Sequence, residues 1–396
     1  MFNNFNHTIR ASYIAYMTHA TINNFAPLLF LTFQRSYQIN IERIAMLVGI
    51  NFAVQLLVDL FAAKYADKIG YKPLIVAAHI FAALGLIGLG TLPEILPDAY
   101  TGLLLSVILY GIGGGIMEVL ISPIVEACPT EKKSASMSLL HSFYCWGHVS
   151  VILVSTLFFV VFGTENWQIL ACLWAIIPVL NAVYFSQTPI AMLNQSGESM
   201  PIKQLISTRL FWLLMLLMIC SGASEQAMVQ WASFFAEAGL NVSKTLGDLM
   251  GPGVFAVLMG ISRVFYSKFS EKINLQKFII GSGCLCVVTY LVASLSPVPI
   301  IGLIACALCG LSVGIMWPGT LSIAAEKCPR GGTALFALLA LGGDLGCSSG
   351  PTLVGIAAGA LEGGIRAGIL AGIIFPVILI FGLILLFKRG KNIKSA

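Results

Sequence analysis

Long apolar runs follow one another down the chain, separated by short stretches that carry most of the charge. A helix rising 1.5 Å per residue needs about 20 such residues to cross a hydrocarbon core roughly 30 Å thick. The pattern predicts twelve spans, at 10–33, 44–65, 73–92, 101–126, 134–161, 167–185, 210–236, 249–268, 276–295, 299–325, 333–358 and 366–387. The longest break, 187–208, is polar and holds Pro189, Gly197 and Pro201, so it reads as a linker.

Parts of the pattern return at an offset near 200. Gly115-Ile116-Met117 recurs as Gly314-Ile315-Met316, and Glu126-Ala127-Cys128-Pro129 as Glu326-Lys327-Cys328-Pro329. Lys64-Tyr65-Ala66-Asp67-Lys68-Ile69 recurs as Lys268-Phe269-Ser270-Glu271-Lys272-Ile273. The matches join equivalent breaks, which implies a six-span unit duplicated in the same orientation. We therefore expect an all-α membrane protein of two six-helix bundles, 1–186 and 209–396, around a central cavity. The 39 glycines suit close helix approach.

Composition agrees. The chain is 58% hydrophobic and 10% charged, with mean hydropathy +0.92, whereas soluble domains carry about 25% charge. Placing the N-terminus inside puts seventeen of the 22 Lys and Arg in cytoplasmic segments. By the positive-inside rule both termini are cytoplasmic, in a plasma membrane such as a bacterial inner membrane. The net charge of +5 then reflects topology, not a nucleic-acid partner. No cleavable leader is expected, since no short apolar core leads into a small-residue cleavage site. The ten cysteines read as small packing residues, and Cys306-x-x-Cys309 lacks the second pair a metal site needs. Neither metal nor cofactor is expected, and no hydrolase or nucleotide-binding motif points to an enzyme.

Candidate chemistry lies in the spans, where an ionised side chain costs about 2.5–3.5 kcal/mol on insertion scales. Glu118 is a lone acid in the fourth span. Counted from the helix ends, His141 on the fifth and His19 on the first reach a similar depth. An acid and imidazoles at one depth can share a proton, because burial favours the neutral acid and a cationic neighbour the carboxylate. In the seventh span Glu225 and Gln226 follow Gly222-Ala223-Ser224, where local unwinding is expected, and Gln230 and Trp231 follow. Trp317 in the tenth offers a second indole wall, which suits a polyhydroxy ligand with C–H faces and hydroxyl edges. Asp59 in the second span and Asp344 in the eleventh are candidates for gating or contact with cavity water, and His148 in Trp146-Gly147-His148 stands at the place equivalent to Asp344 in Gly342-Gly343-Asp344. Arg263 reads as an anchor snorkelling to water.

Ala63-Lys64-Tyr65-Ala66-Asp67-Lys68-Ile69-Gly70-Tyr71-Lys72, after the second of twelve spans, resembles the loop signature of the major facilitator superfamily, Gly-x-x-x-Asp-(Arg/Lys)-x-Gly-(Arg/Lys)-(Arg/Lys). Asp67, Lys68, Gly70 and Lys72 match it. The resemblance implies a secondary transporter whose loop latches helices and sets the inward–outward balance. A finer resemblance is to the fucose–proton symporter and hexose-permease group. Glu118 through Ser122-Pro123 is similar to that group's acid followed by Asn-Pro, with Ser122 in place of Asn. Asn23-Asn24 is similar to its Asn-Asp, Leu140-His141-Ser142-Phe143-Tyr144 to the start of its fifth span, Glu225…Trp231 to its seventh, and Met316-Trp317-Pro318 to its tenth.

This resemblance implies proton-coupled symport of a sugar or similar small polar solute by a monomer. Proton coupling falls to Glu118, His141 and His19. The solute site falls to Asn24, Glu118, His141, Glu225, Gln226, Trp231 and Trp317, and gating to Asp67, Lys68, Gly70, Lys72, Asp59 and Asp344. An exporter of drugs or metabolites and an uncoupled facilitator are the alternatives on the same fold. A membrane sensor or enzyme is the alternative of a different class. The exporters' Gly-Pro motif of the fifth span is missing there; its nearest match, Gly346 to Pro351, falls in the eleventh.

Overall fold

The computed structural model describes residues 4–129, 133–190, 202–269, 273–328 and 332–393, and among these it has no strand. The chain forms two compact units, Met1–Gln195 and Ser196–Ala396. In the first, α1 is Phe5–Asn24, carried on after a 3-10 turn, Ala26–Leu29, by Phe30–Tyr37. Then come α2 (Ile41–Ile69), α3 (Tyr71–Ile95), α4 (Ala99–Ala127), α5 (Lys133–Phe162) and α6 (Trp167–Trp174 with Ile176–Gln187). In the second, α7 spans Arg209–Gly239 and α8 begins at Lys244–Asp248 and ends as Val254–Phe269. They are followed by α9 (Leu275–Leu295), α10 (Pro299–Val313 with Met316–Lys327), α11 (Gly332–Ala360) and α12 (Gly364–Gly372 with Ile374–Ile393).

Among the described residues, α2 through α10 and α12 each contain a stretch long and apolar enough to cross a membrane. With α1 and α11 they occupy the twelve predicted positions. α1 is the polar exception: it buries Thr8, Ser12, Thr18, His19, Thr21, Asn23 and Asn24. Outward faces are apolar instead, with Leu57, Leu157, Val264 and Phe381 each more than 60% exposed. That inversion suits lipid, where apolar surface needs no burial and polar groups must find partners inside.

Side-chain caps mark where several helices begin. Asn40, Asp98, Thr208 and Asn274 each accept from the backbone amide three residues on, meeting one of the donors a helix start leaves unbonded. Gly70 at φ +96° turns α2 into α3, its N–H bonded to the Ala66 carbonyl at 2.8 Å. In the same loop Lys68 is exposed, and Lys72 Nζ donates to the Ser186 carbonyl at 3.4 Å. The Asp67 side chain lies outside the described residues.

Each unit repeats one packing scheme. In the first, α1 packs on α5 and α4, α2 on α4, and α3 on α4 and α6. In the second, α7 packs on α11 and α10, α8 on α10, and α9 on α10 and α12. The α2–α4 contact is close because Gly111 and Gly115 lie against the carbonyls of Asn51 and Gln55, where a Cβ would come to 3.2 and 2.7 Å. The repeated glycines Gly310 and Gly314 of α10 lie in the same way against the carbonyls of Phe255 and Met259 of α8. The duplication read from loops is thus present in helix contacts.

The unwinding expected after Gly222 is absent, since Arg209–Val229 is continuous helix. Gly222 serves close approach: a Cβ there would overlap the Gly343 carbonyl oxygen of α11. The irregular stretch comes later, at Gln230 and Trp231 and in a π-helical turn, Phe235–Gly239.

Candidate functional site

The polar interior of the first unit is assembled from α1, α2, α4 and α5. His19, Asn23 and Asn24 come from α1, Asn51, Gln55 and Asp59 from α2, Glu118 and Ser122 from α4, and Tyr144 from α5. His19 Nε2 lies 3.8 Å from Glu118 Oε2. The same nitrogen is 3.0 Å from Gln55 Oε1 and 3.1 Å from Asn23 Nδ2. Gln55 Nε2 donates to Asn23 Oδ1 at 2.9 Å and to Asn51 Oδ1 at 3.0 Å, and Asn51 Nδ2 donates to Asn23 Oδ1 at 3.0 Å. Three amides and one imidazole so form a closed hydrogen-bonded ring of partners, all 5% exposed or less.

Sequence spacing explains the arrangement. His19 and Asn23, and Asn51 and Gln55, stand four apart and share a helix face. Gly114 leaves room for Gln55, since a Cβ there would sit 2.9 Å from Gln55 Oε1. One turn further along α4 is Glu118, whose side chain is 32% exposed, while Asp59 is 3% exposed. The carboxylate oxygens of Asp59 and Glu118 come within 4.8 Å of each other. Around them, the Tyr144 ring meets His19 edge-on with centroids 5.6 Å apart, and Tyr16 Oη bonds Ser122 Oγ at 3.2 Å. Asn24 donates to the Ala20 carbonyl at 2.9 Å and reaches Tyr144 Oη at 3.4 Å.

Of the three groups expected to handle protons, His19 and Glu118 are thus together. The His141 side chain lies outside the described residues. The amides Asn51 and Gln55 were not singled out from sequence. Their i, i+4 spacing, facing another polar pair on α1, is the signal that marks them.

The second unit carries its own polar chain. Glu225 Oε2 lies 3.6 Å from Arg263 Nη2, Gln226 Nε2 donates to Glu225 Oε1 at 3.3 Å, and Gln230 Nε2 donates to Gln226 Oε1 at 3.0 Å. Arg263 Nε donates to the Gly314 carbonyl at 3.2 Å. Arg263 is therefore an ion-pair partner of Glu225, with its side chain 30% exposed. The repeat held the clue: five residues before Lys64 stands Asp59, and five before Lys268 stands Arg263. Equivalent positions carry opposite charges.

The two tryptophans differ. Trp231, expected to line the solute site, is fully buried and donates its indole N–H to the Pro351 carbonyl at 2.9 Å, bracing α7 against α11. Trp317 is half-buried, its ring lying where a Cβ on Gly343 would be. Beside it on α11, Asp344 is buried, as is His148 on α5.

Such a chain is a polytopic helical membrane protein built by duplication, with ionisable groups held inside each unit. It belongs to the Major Facilitator Superfamily, whose family model matches residues 12–351, and is accordingly a membrane transporter of that family. No curated protein matches the sequence. Among solved structures, the chain is similar to a bacterial homologue of the human lysosomal transporter Spinster, inward-facing and occupied. The TM-score is 0.78 over 98% of both chains at 12% identity. It is similar to the nucleoside transporter NupG, with TM-score 0.77 over 96% of this chain and 100% of that one at 13% identity. It is similar also to the E. coli fucose:proton symporter FucP, with TM-score 0.63 over 95% and 98% at 16% identity. At these identities the likeness shows the fold.

Proposed function

We propose that this transporter is a proton-coupled symporter of a sugar or similar small polar solute, working by alternating access in a plasma membrane with both termini in the cytoplasm. The observation that carries the reading is the approach of His19 Nε2 to Glu118 Oε2, 3.8 Å apart within the helical first unit. An acid and an imidazole so placed are costly in lipid unless they exchange charge, and a proton shared between them removes the cost. A proton taken by this pair from one side and released to the other travels with the solute.

Hydroxylated solutes suit the groups we assign to the solute site. Asn24, Gln226 and Glu225 offer donors and acceptors, and the half-buried Trp317 offers an apolar face to C–H groups. FucP and the D-xylose–proton symporter, a further structure of this fold, are named for sugars, and NupG for nucleosides, which carry a sugar ring. We assign gating to the loop with Asp67, Lys68, Gly70 and Lys72 and to Asp59 and Asp344, and proton tuning to His141.

The test uses purified protein in liposomes loaded with a pH dye. Fucose, xylose, nucleosides, sugar acids and cationic drugs are added outside one at a time. One sugar or nucleoside should acidify the lumen. Glu118→Gln should abolish that signal while labelled solute still exchanges across the membrane. A Glu118→Gln protein that acidifies as the wild type does would overturn the role of the acid. A response to cationic drugs alone would overturn the solute class.

A further inference from the structure

We propose that Gln55 and Asn23 are positioning residues that present one acceptor and one donor to the same nitrogen, His19 Nε2, so that the imidazole is hydrogen-bonded both with and without its Nε2 proton. The inference rests on the proton-coupled reading of this site and names residues that the reading does not use.

The argument is a hydrogen-bond count. A neutral imidazole nitrogen carries either a proton or a lone pair. At His19 Nε2, Gln55 Oε1 at 3.0 Å can only accept and Asn23 Nδ2 at 3.1 Å can only donate. A protonated Nε2 therefore bonds Gln55, and a deprotonated one bonds Asn23. Each state leaves one partner mismatched.

Amide oxygen and nitrogen can exchange places by a half-turn, so the count must hold for either orientation. It does, because Gln55 and Asn23 are also bonded to each other, and both to Asn51. Turning any one amide forces the other two to turn. Gln55 then donates to Nε2 and Asn23 accepts from it, and the count is unchanged. Gln55 and Asn23 never both present acceptors, nor both present donors, to the nitrogen. An ordinary structural histidine is held the other way, as His79 shows. There Nδ1 donates to the Ile75 carbonyl at 2.7 Å and Nε2 accepts from Asn181 Nδ2 at 2.8 Å, which fixes one tautomer. Fixing a tautomer is what the ring around His19 avoids.

Among the described residues, the titratable groups near His19 come from α1, α2, α4 and α5. Glu118 approaches Nε2 from α4, Tyr16 is on α1 itself, Tyr144 comes from α5, and Asp59 of α2 stands behind Glu118. Glu118 takes the proton that Nε2 releases, and the Asn23 amide then bonds the vacated lone pair.

The test reads the proton directly. Full-length protein with 15N-labelled histidine is placed in lipid nanodiscs, and the Nε2 signal of His19, identified by its loss in His19→Gln, is followed with pH. In wild type it should move from protonated to unprotonated as pH rises. In Gln55→Glu a carboxylate faces Nε2 from α2 and obliges Asn23 to present its oxygen as well. Two acceptors should raise the protonated-to-neutral ratio at a given pH at least about tenfold. Asn23→Asp should do the same from the other side, and Gln55→Met, similar in size but without polar atoms, should not. The fixed tautomer of His79 reports that each variant is folded. A folded Gln55→Glu with wild-type proton occupancy, or Gln55→Met matching Gln55→Glu, would overturn the proposal. None of these readings requires a known solute. Failure of every sugar to move protons would therefore count against the transport reading and leave the His19 measurement standing.

Discussion

A carboxylate in an apolar helix is conspicuous in sequence, and an amide is not. Glu118 was therefore legible as a lone acid, whereas the group that touches His19 from α2, Gln55, was hidden among ordinary polar residues. Depth counting brought His19 and Glu118 together because two helices crossing one bilayer share a ruler of about 1.5 Å per residue. It could not separate the two tryptophans, because both stand in similar apolar surroundings and differ only in what their indoles meet. Trp231→Phe removes the donor to the Pro351 carbonyl and should cost about 1–2 kcal/mol. That should lower the thermal midpoint in detergent by a few degrees and leave solute affinity unchanged. Trp317→Phe should leave the midpoint near wild type and weaken solute binding roughly threefold to tenfold, the worth of an aromatic contact. Equilibrium binding and a melting curve on each variant check both, and the reverse pattern would exchange the two roles.

At the scale of elements, glycine decides how near two helices come. The sequence showed many glycines but not what each one meets, so Gly222 was read as a point of unwinding when it is a point of contact. What distinguishes the two uses is the surface opposite, which lies more than a hundred residues away in the chain. Gly310 and Gly260 make the contrast testable. A Cβ at Gly310 would overlap the Phe255 carbonyl oxygen, while one at Gly260 would meet nothing within 4 Å. Gly310→Ala should push α10 from α8 and destabilise the second unit by about 1–3 kcal/mol, the usual cost of overpacking. Gly260→Ala should stabilise by up to about 1 kcal/mol through the lower entropy of the unfolded helix. Thermal unfolding in detergent should thus move in opposite directions for the same chemical change.

For the whole molecule, the number, order and repetition of helices were legible because lipid enforces them: each span must be long, apolar and internally bonded. The polar ring in the first unit and the ion pair in the second were less so, because the duplication preserved the backbone contacts and let the side chains diverge. Asp59 and Arg263 occupy one repeated position with opposite charge, and Glu118 and Trp317 another. A duplicated scaffold with unlike interiors can divide its labour, the first unit handling the proton and the second offering aromatic and ionic groups to the solute. Such a division has a direction only if the chain has a fixed orientation, and the Lys and Arg distribution predicts one. Pro97, between α3 and α4, should face outside, and Lys277, in the first turn of α9, should face the cytoplasm. Both side chains are exposed. In intact cells a membrane-impermeant maleimide should label Pro97→Cys above the background of the native cysteines and should label Lys277→Cys only after the membrane is opened. Labelling of Lys277→Cys in sealed cells, with Pro97→Cys protected, would invert the topology.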